Sequence, residues 1–155
     1  MAGAFFEVKI MYSLKTSAAF DSAHFLKDYS GKCSNIHGHR WKIEVEISGE
    51  SLQRQGEKRG MLIDFSDIKK AVKALADEFD HCLIIEKNSL KENTLSALKE
   101  EQFKIIELQF RPTAENFAYY FFNCLKTRFP VSCVTVYETP NSSASYKEEN
   151  NASCC

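Results

Sequence analysis

Two stretches of alternating polarity constrain this chain more than anything else in it. From Trp41 to Ser48, the apolar residues Trp41, Ile43, Val45 and Ile47 alternate with Lys42, Glu44, Glu46 and Ser48. Successive strand side chains point to opposite faces, so this stretch reads as a strand with one apolar and one charged face. Glu7 to Lys15 alternates likewise, with Val8, Ile10, Tyr12 and Leu14 opposite Lys9, Met11, Ser13 and Lys15, and this strand can run on to Phe20. The apolar faces require a covering layer, and the charged faces require water or a polar lumen.

The covering layer is legible further along. Asp64 is placed as a helix N-cap, with Phe65, Ile68, Val72, Leu75 and Phe79 following at helical spacing. Pro112-Thr113 opens a second long helix, with Thr113 as N-cap and Phe117, Phe121 and Leu125 as its apolar stripe. Thr94 to Gln102 reads as a short helix and Lys104 to Leu108 as a short strand. Val131 to Glu138 and Ala144 to Tyr146 are strands joined by a Pro140-Asn141-Ser142 turn. The expected class is α+β, an antiparallel sheet with helices on one face. At 155 residues the chain fits one domain, residues 1–146, followed by a polar tail at 147–155 that reads as disordered.

The net charge of −1 provides no basic field for nucleic acid or a membrane surface, so neither is expected as a partner. No apolar run reaches membrane-spanning length, and the first residues lack the basic and apolar regions of a signal peptide. The six cysteines follow no framework spacing and read as reduced thiols of a cytoplasmic protein.

Between the two alternating stretches lie three of the chain's four histidines: His24, His37 and His39. Residues two apart on a strand share a side, so His37 and His39 can offer both rings to one ion, with Gly38 removing bulk between them. If the two strands pair, His24 supplies a third ring. Three imidazoles without a fourth protein ligand are the donor set of a catalytic zinc, which keeps a position open. Cys33, four residues before His37, has two readings: a fourth ligand closing a structural site, or a catalytic thiolate beside the metal.

Elsewhere, Asp80-His81 is either a helix C-terminal cap or a proton-transfer pair. Glu138 is either a surface charge or a carboxylate recognising an amidine-like base edge through two parallel hydrogen bonds. Thr113 and Glu115 are most simply a helix start.

Taken together, the segments Phe20-Asp21-Ser22-Ala23-His24, Cys33-x-x-x-His37-Gly38-His39, Gly60-Met61-Leu62-Ile63-Asp64-Phe65, Asp80-His81, Pro112-Thr113-Ala114-Glu115-Asn116 and Tyr137-Glu138-Thr139-Pro140 resemble the 6-pyruvoyltetrahydropterin synthase / 6-carboxytetrahydropterin synthase family. They occur in the family's order from about Glu7 to Tyr146. The resemblance implies a tunnelling fold (T-fold), a four-stranded antiparallel sheet with two main helices on one face. Three subunits would join their sheets into a barrel, and two trimers would stack as a hexamer with active sites between subunits. It implies one Zn2+ per subunit on His24, His37 and His39, with Cys33 as catalytic base and Asp80 and His81 as the proton-transfer pair. Glu138 would anchor the pterin, and Thr113 and Glu115 would line its pocket. The implied substrate is 7,8-dihydroneopterin triphosphate.

The Cys-x-x-x-His-Gly-His spacing resembles the bacterial queuosine branch, which forms 6-carboxy-5,6,7,8-tetrahydropterin and releases acetaldehyde and triphosphate. The alternatives are the pyruvoyl synthase reaction on the same substrate, and a non-catalytic zinc module closed by Cys33. The stretch from Glu86 to Phe110 is longer than in the shortest family members. Lys27, Arg40 and Arg111 are candidates to hold the triphosphate, by nearness to the motifs.

Overall fold

The computed structural model describes residues 11–148. The expected strand residues before Met11, the tail beyond Glu148, Cys154 and Cys155 lie outside the described residues. Nine elements follow in order: β1 (Tyr12–His24), β2 (His37–Gly49), α1 (Phe65–Phe79), β3 (Cys82–Glu86), α2 (Glu92–Glu100), β4 (Ile105–Leu108), α3 (Ala114–Lys126), β5 (Val131–Thr139) and β6 (Ser142–Tyr146). They build one sheet of order β4-β3-β1-β2-β5-β6.

Four of these strands, β1, β2, β5 and β6, pair antiparallel as expected. The sheet does not stop there. β3 joins β1 in parallel through Ser22–His24 and Cys82–Ile84, and β4 adds in parallel to β3. Among the described residues the sheet is therefore mixed and six-stranded, correcting the four-stranded antiparallel expectation; α1 and α3 are the two main helices expected, and α2 and β4 stand where the short helix and short strand were expected. β3 escaped the periodicity because Cys82-Leu83-Ile84-Ile85 is a short continuous apolar run, which alternation cannot distinguish from the end of a helix. It is the pattern of a strand buried on both faces, and Ile84 and Ile85 are indeed buried. Parallel pairing needs a crossover, which α2 provides; the long stretch from Glu86 to Phe110 is that crossover and its returning strand.

α1 and α3 cover one face. Asp64 caps α1 by accepting a hydrogen bond from the Ser66 N–H at 2.8 Å, and Thr113 caps α3 by accepting from the Asn116 N–H. Ile68, Val72 and Phe79 of α1 and Phe117, Phe121 and Leu125 of α3 are buried against Phe20, Trp41, Ile43, Val45 and Ile47 of the sheet. Phe65, expected in the α1 stripe, is exposed because it stands in the first turn, beyond the sheet's cover. Trp41 is the hub, stacked on Phe20 at 6.2 Å and edge-on to Phe117 at 5.1 Å. The opposite face keeps its charges: Lys15 Nζ lies 3.2 Å from Glu46 and 3.8 Å from Glu44. Among the described residues no helix is long and apolar enough to cross a membrane.

Candidate active site

Strand register assembles the three histidines. β1 and β2 place His24 directly opposite His37, Ser22 opposite His39 and Phe20 opposite Trp41. Partners across a sheet share a face, so all three rings lie on the helix-covered side at the end of the core. Their centroids are 4.5 Å (His24–His37), 5.2 Å (His24–His39) and 4.8 Å (His37–His39) apart.

The hydrogen bonds fix which ring nitrogen is free. His24 Nδ1 is 2.8 Å from the Pro112 carbonyl, and His37 Nδ1 is 2.7 Å from the Asn35 carbonyl. A carbonyl only accepts, so each Nδ1 carries the proton and each Nε2 bears a lone pair. Backbone carbonyls on the remote nitrogen orient metal-binding imidazoles in this way. Nε2 of His24, His37 and His39 are buried and have no hydrogen-bond partner among the described residues; Ser22 Oγ and Trp41 Nε1, from the same strands, likewise have none there. Buried polar atoms are normally satisfied, so this concentration marks a place built for a ligand.

Glu138 completes the group. Its Oε1 lies 3.5 Å from Nε2 of both His24 and His39, and the four ligand atoms lie within 4.8 Å of one another. Its placement follows strand alternation: Val134 and Val136 of β5 are buried opposite Val45 and Ile43 of β2, and Glu138, two residues further on, shares their face. Three neutral imidazoles and a carboxylate fit zinc by donor type. Cys33 is not among the converging atoms.

Burial pushes the His24 imidazole down to about 4, against the opposing pull of its bond to Pro112, and burial lowers His39 also. Both rings are thus kept neutral and available. The unfolded chain takes up a proton near 6.5 where folded His24 does not, so the metal-free fold is favoured above 6.5 and loses stability as pH falls from there to about 4. Thermal melts of chelator-treated protein should show a loss of at most about 3 kcal/mol from His24 across that window. A His24→Gln variant should flatten the profile.

Cys33 sits on a one-turn helix, Lys32–Ser34, in the loop between β1 and β2. The turn is locked: the Leu26 N–H donates to the Cys33 carbonyl at 2.8 Å, and the Ser34 N–H and hydroxyl both donate to the Gly31 carbonyl. Cys33, Thr113, Glu115 and Glu138 line one hollow of about 310 Å³, together with Leu26 and Tyr29. Tyr29 was not singled out from the sequence. The signal available was Gly31, where a Cβ would stand 2.5 Å from the Tyr29 ring; glycine lets that ring lie against the turn.

Asp80 and His81 form a pair on another side of the chain. Asp80 is the C-cap of α1, and its Oδ2 lies 2.8 Å from His81 Nδ1, so the carboxyl at the cap position meets the imidazole. Its Oδ1 accepts the Asp21 N–H at 2.8 Å, while the His81 N–H donates to the Asp21 carbonyl at 2.7 Å. The Asp21 N–H first, then His81, hold the Asp80 carboxyl below its ordinary range. His81 has φ 52°, a left-handed conformation that a non-glycine residue holds at a cost of about 1–3 kcal/mol. Its side chain is 81% exposed, in a hollow with Ile36, Leu98 and Phe103. Within one chain, the Cys33 hollow and the His81 hollow share no lining residue.

Residues 13–149 match the family model described as 6-pyruvoyl tetrahydropterin synthase. A 6-carboxy-5,6,7,8-tetrahydropterin synthase of Haemophilus influenzae is 39% identical over 142 residues, covering 89% of this chain and all of that protein. A protein of the same name from Aquifex aeolicus is 36% identical over 139 residues, covering 82% of this chain and 83% of that one. Among solved structures, an uncharacterized Wolinella succinogenes protein superposes with a TM-score of 0.74 at 20% identity, covering 90% of this chain and 99% of that one. The 6-pyruvoyl tetrahydropterin synthase of Caenorhabditis elegans superposes with a TM-score of 0.63 at 24% identity, covering 93% and 100%. These structural likenesses carry the fold.

Proposed function

The chain belongs to the 6-pyruvoyl tetrahydropterin synthase family, and from that premise we propose that it is a 6-carboxy-5,6,7,8-tetrahydropterin synthase. Its substrate is 7,8-dihydroneopterin triphosphate, its products include acetaldehyde and triphosphate, and its place is in queuosine biosynthesis. The observation that supports this most is the meeting at Glu138 of two features: three unpartnered imidazole nitrogens and a hollow lined by Cys33, Thr113 and Glu115.

His24, His37 and His39 are the residues to hold zinc, with Glu138 in reach of the same ion. Bound there, zinc supplies Lewis-acid polarisation of the substrate's side-chain oxygens. Glu138 and Glu115 offer carboxylates to the amidine-like edge of the pterin, and Tyr29 and Leu26 offer it an apolar wall. Cys33 removes a proton from the side chain as general base. The Asp80–His81 pair moves a second proton: Asp80 holds Nδ1–H, which leaves Nε2 as the exchanging nitrogen.

Since His81 faces out on a different side from Cys33, this set is completed between copies of the chain. The sheet's free edges support such an assembly. Among the described residues, Tyr12–Phe20 of β1 pairs on one side only, and β6 ends the sheet. Joining such edges would close the sheets into a barrel and give the charged face its lumen, in a hexamer of two trimers.

The zinc-loaded protein, given 7,8-dihydroneopterin triphosphate, should release acetaldehyde and triphosphate and yield a pterin carboxylate by mass spectrometry. Release of neither product overturns the reading. A retained two-keto side chain replaces it with the pyruvoyl synthase reaction.

A further inference from the structure

A second hollow reaches the same site from the opposite face of the sheet. It has a volume of about 510 Å³, and its lining includes His39 and Glu138 together with Gly38, Arg40, Lys42 and Tyr137. Glu138 is common to this hollow and to the Cys33 hollow. The two differ in charge. Among the described residues, the Cys33 hollow is lined by the carboxylates Glu115 and Glu138 and by no cation. The second is lined by Arg40 and Lys42, with Glu138 as its one carboxylate among the described residues. With a net charge of −1, the chain has no global field to hold a polyanion, so local cations must do it.

Both cations are positioned with hydrogen-bonding capacity to spare. Lys42 Nζ stands 4.3 Å above the Tyr137 ring and 3.3 Å from Glu44, which restrains a flexible side chain while leaving donors available. Arg40 uses one nitrogen, Nη1, on Asp21 at 2.8 Å; the rest of its guanidinium donors remain for a second acceptor. Gly38 adds an independent sign. It has no left-handed φ, and a Cβ there would meet only the Ser22 carbonyl, at an ordinary 3.6 Å. Neither backbone nor packing asks for glycine. A side chain at 38 would project away from the histidine face, toward the hollow that Gly38 lines, so the glycine keeps that hollow open.

We propose that this hollow seats the triphosphate tail of the substrate, with Lys42 and Arg40 as its binding residues and Gly38 as the space they act across, while the pterin occupies the Cys33 hollow. The assignment rests on the function proposed above. It replaces two of the three candidates drawn from motif proximity. Lys27 donates to the Asn88 carbonyl, and Arg111 to the Lys27 carbonyl; neither lines either hollow.

The test uses zinc-loaded full-length protein and inorganic tripolyphosphate as probe. Calorimetric titration should show tripolyphosphate binding to wild type, weakened at least tenfold in Lys42→Gln and further in Arg40→Gln/Lys42→Gln. KM for dihydroneopterin triphosphate should rise in parallel while binding of unphosphorylated dihydroneopterin stays within twofold. Gly38→Val should block tripolyphosphate without loss of zinc. Tripolyphosphate binding within twofold of wild type in the double variant overturns the assignment, as does an equal loss of dihydroneopterin binding. If wild type turns over no substrate, the functional reading fails instead, and that result is independent of the titrations.

Discussion

Replacing Cys33 by alanine is expected to leave zinc content at the wild-type level and to cut turnover by about 10²- to 10⁴-fold, the range of a lost general base. Two structural facts support this. The Cys33 thiol lies outside the group formed by His24, His37, His39 and Glu138, so its removal takes no ligand from the metal. The turn that carries it is held by backbone bonds, notably Leu26 N–H to the Cys33 carbonyl, and these survive the substitution. Thermal stability should therefore change little. Elemental analysis beside a turnover assay decides the matter. Zinc that disappears with the thiol would make Cys33 a ligand and return the site to a closed structural centre. Unchanged turnover would remove Cys33 from the chemistry altogether.

The second large effect is expected from His24→Ala. His24 is fully buried, contributes one of three unpartnered Nε2 atoms, and bonds the Pro112 carbonyl just before α3. Its loss should lower zinc affinity by orders of magnitude and abolish turnover. The fold is expected to lose about 2–4 kcal/mol, from the cavity left by the ring and the stranded carbonyl of Pro112. A loss of activity through unfolding alone is separated by chelator. Bound metal stabilises wild type by about 2.7 kcal/mol at a hundredfold excess over its dissociation constant, so chelation should lower the wild-type melting temperature and leave the variant unmoved. A variant that remains chelator-sensitive would show that His24 is dispensable for the metal. His81→Ala provides the contrast: zinc retained, turnover reduced.

The core of the site was legible because it rests on strand arithmetic. His37 and His39 lie two apart in phase with Trp41, and pairing with the preceding strand brings His24 opposite. The helix caps were legible for a similarly local reason: Asp64 and Thr113 each precede an apolar stripe. What was not legible depends on long-range or irregular backbone. Glu138 shares the face of Val134 and Val136, but it stands beside the imidazoles only because β5 pairs with β2, almost a hundred residues away in sequence, and no local period encodes that pairing. β3 is a run of apolar residues whose length and pattern do not tell strand from helix, and its parallel pairing is set by its crossover. The separation of His81 from Cys33 follows from how α1 returns to the sheet, through the Asp21–Asp80–His81 bonds, a junction that no spacing encodes. The charged hollow behind Gly38 was half visible, since Arg40 was a candidate, but Lys42 gains its place from Tyr137, almost a hundred residues away.

Trp41, the chain's single tryptophan, packs edge-on against His24 at 5.0 Å and His39 at 5.5 Å. The fluorophore is thus packed against the rings whose state matters most and is shielded from water. Metal capture, ligand arrival and protonation of the imidazoles all alter the electrostatics at its ring. The single tryptophan is thus a built-in optical gauge of this site, readable in real time without label or coupled assay when it is excited to the red of the chain's six tyrosines.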